Sequence, residues 1–183
     1  MCGFFGEFSN ELLNVEDFRN NLQRSFQRGP DQQEIWSDGN LYQVGFNRLS
    51  ILDLTENGKQ PLLSPSGRYS LVINGEIYNY KILRRELEIL GHIFITRSDT
   101  EVILKSYEEW GINCCKRLRG IFAFAIWDIK KKTLFIARDH LGVKPLYYFQ
   151  WLQSSSSLFH ANRANQSQYL HECQSLPFSI RLD

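Results

Sequence analysis

Hydrophobic positions along the chain alternate between a period of two and a helical spacing, and the switches divide it into elements. Cys2 to Phe8 alternates weakly and is rich in aromatics, which predicts a short strand at the very start. Val15, Phe18, Leu22 and Phe26 recur at helical spacing, so an amphipathic helix is expected over Val15–Gln27, stopped by Arg28-Gly29-Pro30-Asp31. Two short strands follow at Gln33–Ser37 and Leu41–Asn47, with Asp38-Gly39 as the hairpin signal. After a polar loop from Thr55 to Gln60 and a turn at Ser64–Gly67, Tyr69–Ile73 reads as a compact buried strand running straight into Asn74-Gly75-Glu76. Asn79 is placed to cap a helix whose Ile82, Leu83, Leu87 and Leu90 share a face, and Gly91 ends it. A short strand is expected at Ile93–Thr96. Ser98-Asp99-Thr100-Glu101 then has the form of a capping box, opening a helix that carries Val102, Ile103, Tyr107 and Trp110. Ile121–Asp128 and Thr133–Arg138 are two strands joined by Lys130-Lys131-Lys132, and Gly142 to Pro145 turns the chain into a last strand, Leu146–Phe149.

Strands outnumber helices, and the two clearest helices are consecutive between groups of strands. That order predicts a layered α+β fold with largely antiparallel sheets rather than alternating βαβ units. No internal repeat is visible. Beyond Gln150 the periodicity fades, lysine no longer occurs, and Trp151–Asp183 becomes rich in Ser, Gln and Asn. The expectation is one domain over 1–149 followed by an atypical, flexible tail over 150–183.

Composition narrows the function. In 183 residues, 43% hydrophobic and 14% aromatic content suffices for a substantial core. A net charge of +1 argues against a general nucleic-acid or membrane-surface role. No apolar run reaches the length of a membrane span and no charged-then-apolar signal opens the chain, so a cytoplasmic protein is expected. The four cysteines, Cys2, Cys114, Cys115 and Cys173, have no zinc-type spacing, and no metal site is expected.

Of these, Cys2 alone has a position that suggests chemistry. The first residues of a domain are a poor place for a structural thiol. With Met1 removed, Cys2 carries a thiol and an α-amine of reference pKa roughly 7.7–8.0, and the amine can accept the thiol proton. Gly3 lets a substrate approach the backbone. Inner motifs read singly are ambiguous. Arg48 is either a surface ion pair or a planar fork for a carboxylate. Asn74-Gly75 is either a turn or a side-chain amide beside an unhindered N–H, the equipment of an oxyanion hole. Glu76 is either a solvated acid or a partner for a cation. Asp99 is either a residue favoured by the helix dipole or a partner for an ammonium group. Together they form a set of parts for acyl transfer from an amino acid with a side-chain amide.

The strings Met1-Cys2-Gly3, Arg28-Gly29-Pro30-Asp31, Arg48-Leu49-Ser50-Ile51, Gln60-Pro61, Asn74-Gly75-Glu76-Ile77-Tyr78-Asn79, Ser98-Asp99-Thr100-Glu101, Gly120 to Asp128 and Arg138-Asp139 through Tyr148 occur in order. As an ordered set over residues 1–149 they resemble the N-terminal glutaminase domain (class II glutamine amidotransferase) of glutamine-hydrolysing asparagine synthetases. The resemblance implies a four-layer αββα fold of the N-terminal-nucleophile hydrolase kind. It implies hydrolysis of glutamine to glutamate and ammonia through a Cys2 thioester, with Cys2, Asn74 and Gly75 catalytic. It further implies that Arg48 holds the substrate carboxylate, that Glu76 and Asp99 hold its ammonium, and that Arg48, Leu49, Ser50, Ile51 and Leu52 line the pocket. Gln27 and Phe46 stand where the family often has histidine. The family's Ser-Gly-Gly-x-Asp-Ser pyrophosphate loop is absent, so no cofactor is expected for this chain, ATP and magnesium belonging to the missing synthetase domain. The expected partners are glutamine and a separate synthetase domain or subunit. A truncated or frame-shifted gene is one expectation for residues 150–183. A catalytically idle remnant or partner-binding module is an alternative, as is the glutaminase domain of a sugar- or nucleotide-directed amidotransferase. The Arg-Leu-Ser-Ile and Asn-Gly-Glu-Ile-Tyr-Asn strings favour the asparagine synthetase type.

Overall fold

The structure, a computed structural model, describes residues 2–49, 59–150, 157–160, 171–172 and 178–181. Its strands are β1 (Gly3–Phe8), β2 (Gln32–Ser37), β3 (Tyr42–Arg48), β4 (Leu62–Leu63), β5 (Tyr69–Ile77), β6 (Gly120–Asp128), β7 (Thr133–Arg138), β8 (Tyr147–Gln150), β9 (Ser157–His160), β10 (His171–Glu172) and β11 (Phe178–Arg181). The helices are α1 (Val15–Gln23), α2 (Tyr80–Ile89) and α3 (Asp99–Trp110). Among the described residues the strands form two antiparallel sheets, ordered β10-β8-β9-β1-β3-β2 and β11-β7-β6-β5-β4.

Period-two alternation decides which side chains meet, because successive residues of a strand face opposite sides of its sheet. Phe4, Phe8, Tyr42, Val44 and Phe46 of the first sheet meet Val72, Ala123, Ala125, Trp127, Leu134 and Ile136 of the second in one core. Outward from the first sheet, Phe5 packs on Phe18 of α1 with ring centroids 5.1 Å apart. Gly45 makes room for Leu22, since a Cβ there would lie 2.4 Å from the Leu22 Cδ2. Outward from the second sheet, Leu71, Ile73, Ile77, Phe122, Phe124, Ile126, Phe135 and Ala137 pack with Leu83 and Leu87 of α2 and Val102, Ile103 and Leu104 of α3. The order of layers is helix, sheet, sheet, helices: the α+β arrangement expected from the sequence.

Asp38 ties the layers together. Its Oδ1 accepts the N–H groups of Asn40, Leu41 and Tyr42, closing the β2–β3 hairpin. Its Oδ2 accepts the Trp127 Nε1–H of the other sheet at 2.9 Å. Trp127 is fully buried, with Tyr42 stacked on it at 5.1 Å and Phe8 tilted against it at 5.1 Å.

Several boundaries differ from the sequence reading. The first helix ends at Gln23 rather than Gln27, and a short 3₁₀ turn at Phe26–Arg28 completes the approach to Gly29. Asn14 caps it, accepting from Glu16 N and Asp17 N. Asn74-Gly75 is not a turn, because β5 runs without a break to Ile77. The Asn79 side chain does not cap α2: it bonds Arg117 O and Arg119 N instead, joining the helix start to the approach to β6. Only Leu83 and Leu87 of the predicted α2 face are buried. Ile82 and Leu90 are exposed, since the helix touches the sheet along a narrow i, i+4 stripe. Gly91 does end the helix, at φ 96°, in a Schellman motif with His92 N bonded to Leu87 O and Gly91 N to Glu88 O. Ile93–Thr96 is not a strand. Its alternating Ile93 and Ile95 face solvent, and its backbone is held by Glu101, which accepts Ile95 N and Thr96 N rather than completing the capping box at Ser98 N. Within 150–183, the stretches 157–160, 171–172 and 178–181 are strands, with β9 lying between β1 and β8. Cys173 and the remainder lie outside the described residues.

Removing the Asp38 carboxylate leaves the Trp127 N–H buried without an acceptor and opens the hairpin. Asp38→Ala is therefore expected to cost about 2–4 kcal/mol and to lower Tm by roughly 5–15 °C. Thermal unfolding followed by circular dichroism checks this, and a Tm within 2 °C of the parent, about the response to less than 1 kcal/mol, would contradict it.

Candidate active site

Residues 2 and 48 come together because β1 and β3 are antiparallel neighbours: Gly3 pairs with Asn47, and one step further Cys2 lies across from Arg48. The inner-face alternation Phe8, Phe4 continues to Cys2, which packs at the margin of the intersheet core. Tyr42, Val44 and Phe46 continue in the same way to Arg48, which is 8% exposed. On the facing sheet, Val72 is followed at the same period by Asn74 and Glu76, Asn74 buried and Glu76 exposed at the strand's end. Since β1 lies against β5, the thiol, the guanidinium, the amide and the carboxylate all turn toward the gap between the sheets at one end of the sandwich.

The Cys2 thiol is held by main chain. Leu49 N–H donates to Sγ at 3.4 Å, and the thiol donates to Leu49 O at 3.7 Å. Arg28 Nε–H donates to Cys2 O at 3.4 Å, which fixes the residue's carbonyl as well. Arg28 is brought there by Gly29. A Cβ on Gly29 would stand 2.3 Å from Asn47 O, so only glycine lets this turn lie against the end of β3. Asp31 N donates to Arg48 O at 3.1 Å and completes the seat. The Arg48 Nη1 donates to Gln32 Oε1 at 3.3 Å. Ser50, Ile51 and Leu52 lie outside the described residues.

Backbone geometry at Gly75 follows from its partner. Phe122 spends both of its main-chain groups away from β5: its N–H donates to Asp139 Oδ2 at 3.2 Å, and its C=O accepts Asp139 N–H at 2.8 Å. The facing pair Gly75–Phe122 is therefore a non-hydrogen-bonded pair of the antiparallel ladder. The N–H groups of Ile73, Gly75 and Ile77 consequently turn to the opposite edge of β5. There β4 pairs only with Ser70 and Leu71. Ile73 N–H donates to Gln60 Oε1 at 2.6 Å and Ile77 N–H to Asp99 Oδ2 at 2.9 Å. Gly75 N–H lies midway, about 7 Å along the edge from each, and among the described residues nothing accepts it. At φ 152°, with a hypothetical Cβ 2.1 Å from Ile121 O, this position admits only glycine. An outward N–H beside a buried Asn74 side chain can serve a developing oxyanion.

Asp99 sits at the first position of α3, capped by Ser98, whose hydroxyl accepts Glu101 N–H at 3.3 Å. Burial pushes its carboxyl above the ordinary carboxylate value. N–H bonds from Ile77 and Thr100 oppose that shift, and the neighbouring Glu76 charge adds to it. Glu76 and Asp99 thus form an acidic pair at the end of β5 suited to a cation.

The structure brings Cys2, Arg48, Leu49, Asn74, Gly75, Glu76 and Asp99 to one end of the sandwich. Reading the sequence assigned Arg28 only a place in a helix-stopping turn and left Gln32 and Gln60 without a role. Arg28 and Gln60 lay inside recognisable strings, but nothing in a string says that one side chain grips the Cys2 carbonyl and the other closes the edge of β5.

Residues 1–172 match the model of the glutamine amidotransferase domain family, so the match runs past Gln150. Asparagine synthetase [glutamine-hydrolyzing] 3 of Bacillus subtilis is 42% identical over 164 residues, 87% of this chain and 26% of that protein. Asparagine synthetase B of Escherichia coli is 41% identical over 150 residues, 80% of this chain and 26% of that protein. The chain thus spans about a quarter of the length of these curated relatives. The Bacillus subtilis glutamine phosphoribosylpyrophosphate amidotransferase structure superposes with a TM-score of 0.76 at 21% identity, covering 98% of this chain and 49% of that one, a likeness of fold. Among the described residues no helix is long and apolar enough to cross a membrane. With its family match covering nearly the whole sequence, the chain belongs to the glutamine amidotransferase domain family.

Proposed function

We propose that this chain hydrolyses the side-chain amide of glutamine to glutamate and ammonia, with Cys2 as nucleophile. The observation that carries the reading is the outward Gly75 N–H, beside Asn74 and on the sheet facing the Cys2 thiol. With Met1 removed, the Cys2 α-amine takes the thiol proton and Sγ attacks the amide carbon. The C–S bond forms as the carbonyl oxygen becomes an oxyanion, held by the Gly75 N–H and the Asn74 side-chain amide. The C–N bond then breaks, the leaving nitrogen takes the proton from the α-ammonium, and ammonia departs from a γ-glutamyl thioester. Water adds to the thioester, the C–S bond breaks, and glutamate and the thiol are restored. Leu49 N–H, donating to Sγ at 3.4 Å, stabilises the thiolate at both stages.

At the other end of the substrate, Arg48 receives the α-carboxylate through its planar fork, and Glu76 and Asp99 receive the α-ammonium. The backbone of Leu49 to Leu52 lines the pocket in this reading. As written, the hydrolysis draws on no metal or cofactor. By analogy with relatives named as glutamine-hydrolysing asparagine synthetases, the ammonia is passed to an acceptor domain or subunit where ATP and magnesium act. Identities above 40% to those relatives, against 21% to the phosphoribosylpyrophosphate enzyme, favour an asparagine-forming acceptor over a nucleotide-directed one.

Ammonia release from glutamine by the purified chain, compared with its Cys2→Ala variant, is the test. The variant is expected to release none above the uncatalysed background, and equal release from the two would sink the mechanism. Intact mass adds a second arm, since retention of Met1 removes the proposed base. Asn74→Ala is expected to lower kcat by roughly 10²–10³ while changing KM far less. Equal losses in turnover and in glutamine binding would count against its oxyanion role, and a raised KM with kcat unchanged would assign Asn74 to uniform binding instead. For Asp99 the sign follows from its raised pKa. The carboxylate attracts the substrate ammonium only while ionised, so KM rises as pH falls, beginning above the usual range of about 4. Asp99→Asn is expected to raise KM at neutral pH and to flatten that acid limb, and an unchanged limb would remove Asp99 from the site.

A further inference from the structure

We propose that Asp139 is a positioning residue for the Gly75 oxyanion donor, an inference that rests on the glutaminase reading above. β7 ends at Arg138, the last residue paired with β6, opposite Ala123. One step further the ladder is continued by a side chain. Asp139 N–H still donates to Phe122 O, while Phe122 N–H is met by the Asp139 carboxylate instead of a strand carbonyl. The same carboxylate, 3% exposed, accepts Lys144 N–H at 3.0 Å on Oδ2, and Val143 N–H at 2.9 Å and Leu141 N–H at 3.2 Å on Oδ1. Four backbone donors from a strand and a loop therefore converge on one buried acid.

The loop is built to wrap it. Gly142 takes φ 64°, donates its N–H to Asp139 O at 3.0 Å, and leaves space for the Arg138 guanidinium, from which a Cβ would be 2.9 Å. Asp139 thus clamps the start of β6 at Phe122 from the side away from β5. On the other side Gly75 lies close against β6, where a Cβ would stand 2.5 Å from Phe122 Cα and 2.1 Å from Ile121 O. No side chain cushions that contact, so a displacement of Phe122 passes directly to Gly75. The alternation of the ladder turns the Phe122 backbone to Asp139 and the facing Gly75 N–H to the outer edge, so Asp139 steadies that geometry rather than creating it. Asp139 holds the donor in place without touching substrate.

The test uses the full chain with Asp139→Asn and Asp139→Ala. The first cannot accept all four donors, because its NH₂ must face two of them, and the second accepts none. Below their melting temperatures, both are expected to lose kcat by roughly 10- to 100-fold, Ala more than Asn, with KM for glutamine within about twofold. The Gly75 amide resonance in the ¹⁵N–¹H spectrum is expected to move in both variants. A lower Tm with kcat and the Gly75 amide both unchanged would make Asp139 merely structural and overturn the inference. The amide readout needs no turnover, so it stands even where the parent chain releases no ammonia, and an unmoved resonance there overturns the inference just as well. Full kcat in Asn74→Ala, by contrast, sinks the oxyanion reading while the effect of Asp139 on Gly75 remains measurable.

Discussion

An antiparallel strand offers its N–H groups alternately to its two neighbours, and among the described residues strand β5 beyond Leu71 has a neighbouring strand on one side only. That constraint organises this end of the molecule. The inner residues of the pairing, Asn74 among them, turn their backbone to β6, and Ile73, Gly75 and Ile77 turn theirs outward. Unpaired edge groups are costly when buried and a hazard when exposed. Side chains reach in from distant segments to meet two of them: Gln60 at Ile73 and Asp99 at Ile77. Among the described residues Gly75 is the gap in that row. Its N–H is outward because of ordinary sheet geometry, with no special loop required.

Placing Cys2 opposite that gap depends on the sandwich. The first strand of the chain would fray if it lay at an edge, but β1 is paired with β3 on one side and β9 on the other. Phe4 and Phe8 anchor it in the intersheet core, and Trp127 and Asp38 lock the two sheets in relative position. Cys2, the residue before β1, is thereby tied to the body of the sandwich. Acidic groups near the site show the complementary economy. Asp99 ends one N–H row and begins a helix, while Glu101 two residues on holds the 95–96 backbone that leads into it.

Much of the fold was legible because period and punctuation are local signals. Thr133–Arg138 occurs with the predicted boundaries, Gly91 terminates α2, and Asp38-Gly39 makes the hairpin. Reading failed where a local signal was outweighed by contacts remote in sequence. Asn-Gly is a turn dipeptide by habit, yet Asn74 and Gly75 continue β5 because nine successive residues pair with β6. Ile93 and Ile95 alternate like a strand but find no neighbour to pair with among the described residues, and Glu101 takes their segment's backbone instead. Asn79 bonds to Arg117 and Arg119 rather than capping its own helix.

The residue types of the site were determined by the sequence alone: a thiol at position two, an amide next to a glycine, an arginine and two acids in an ordered set of strings. Their chemistry is intrinsic to the side chains and needs no fold to be named. The tertiary structure decided which of them face one another and which backbone N–H is left without an acceptor among the described residues. The direction of the Gly75 N–H follows from the register that faces Gly75 with Phe122, whose own backbone turns the other way to Asp139, 64 residues further along than Gly75. Hydrogen-bond direction in a sheet is a property of register, set by packing across the whole sandwich. No local stretch of sequence carries it.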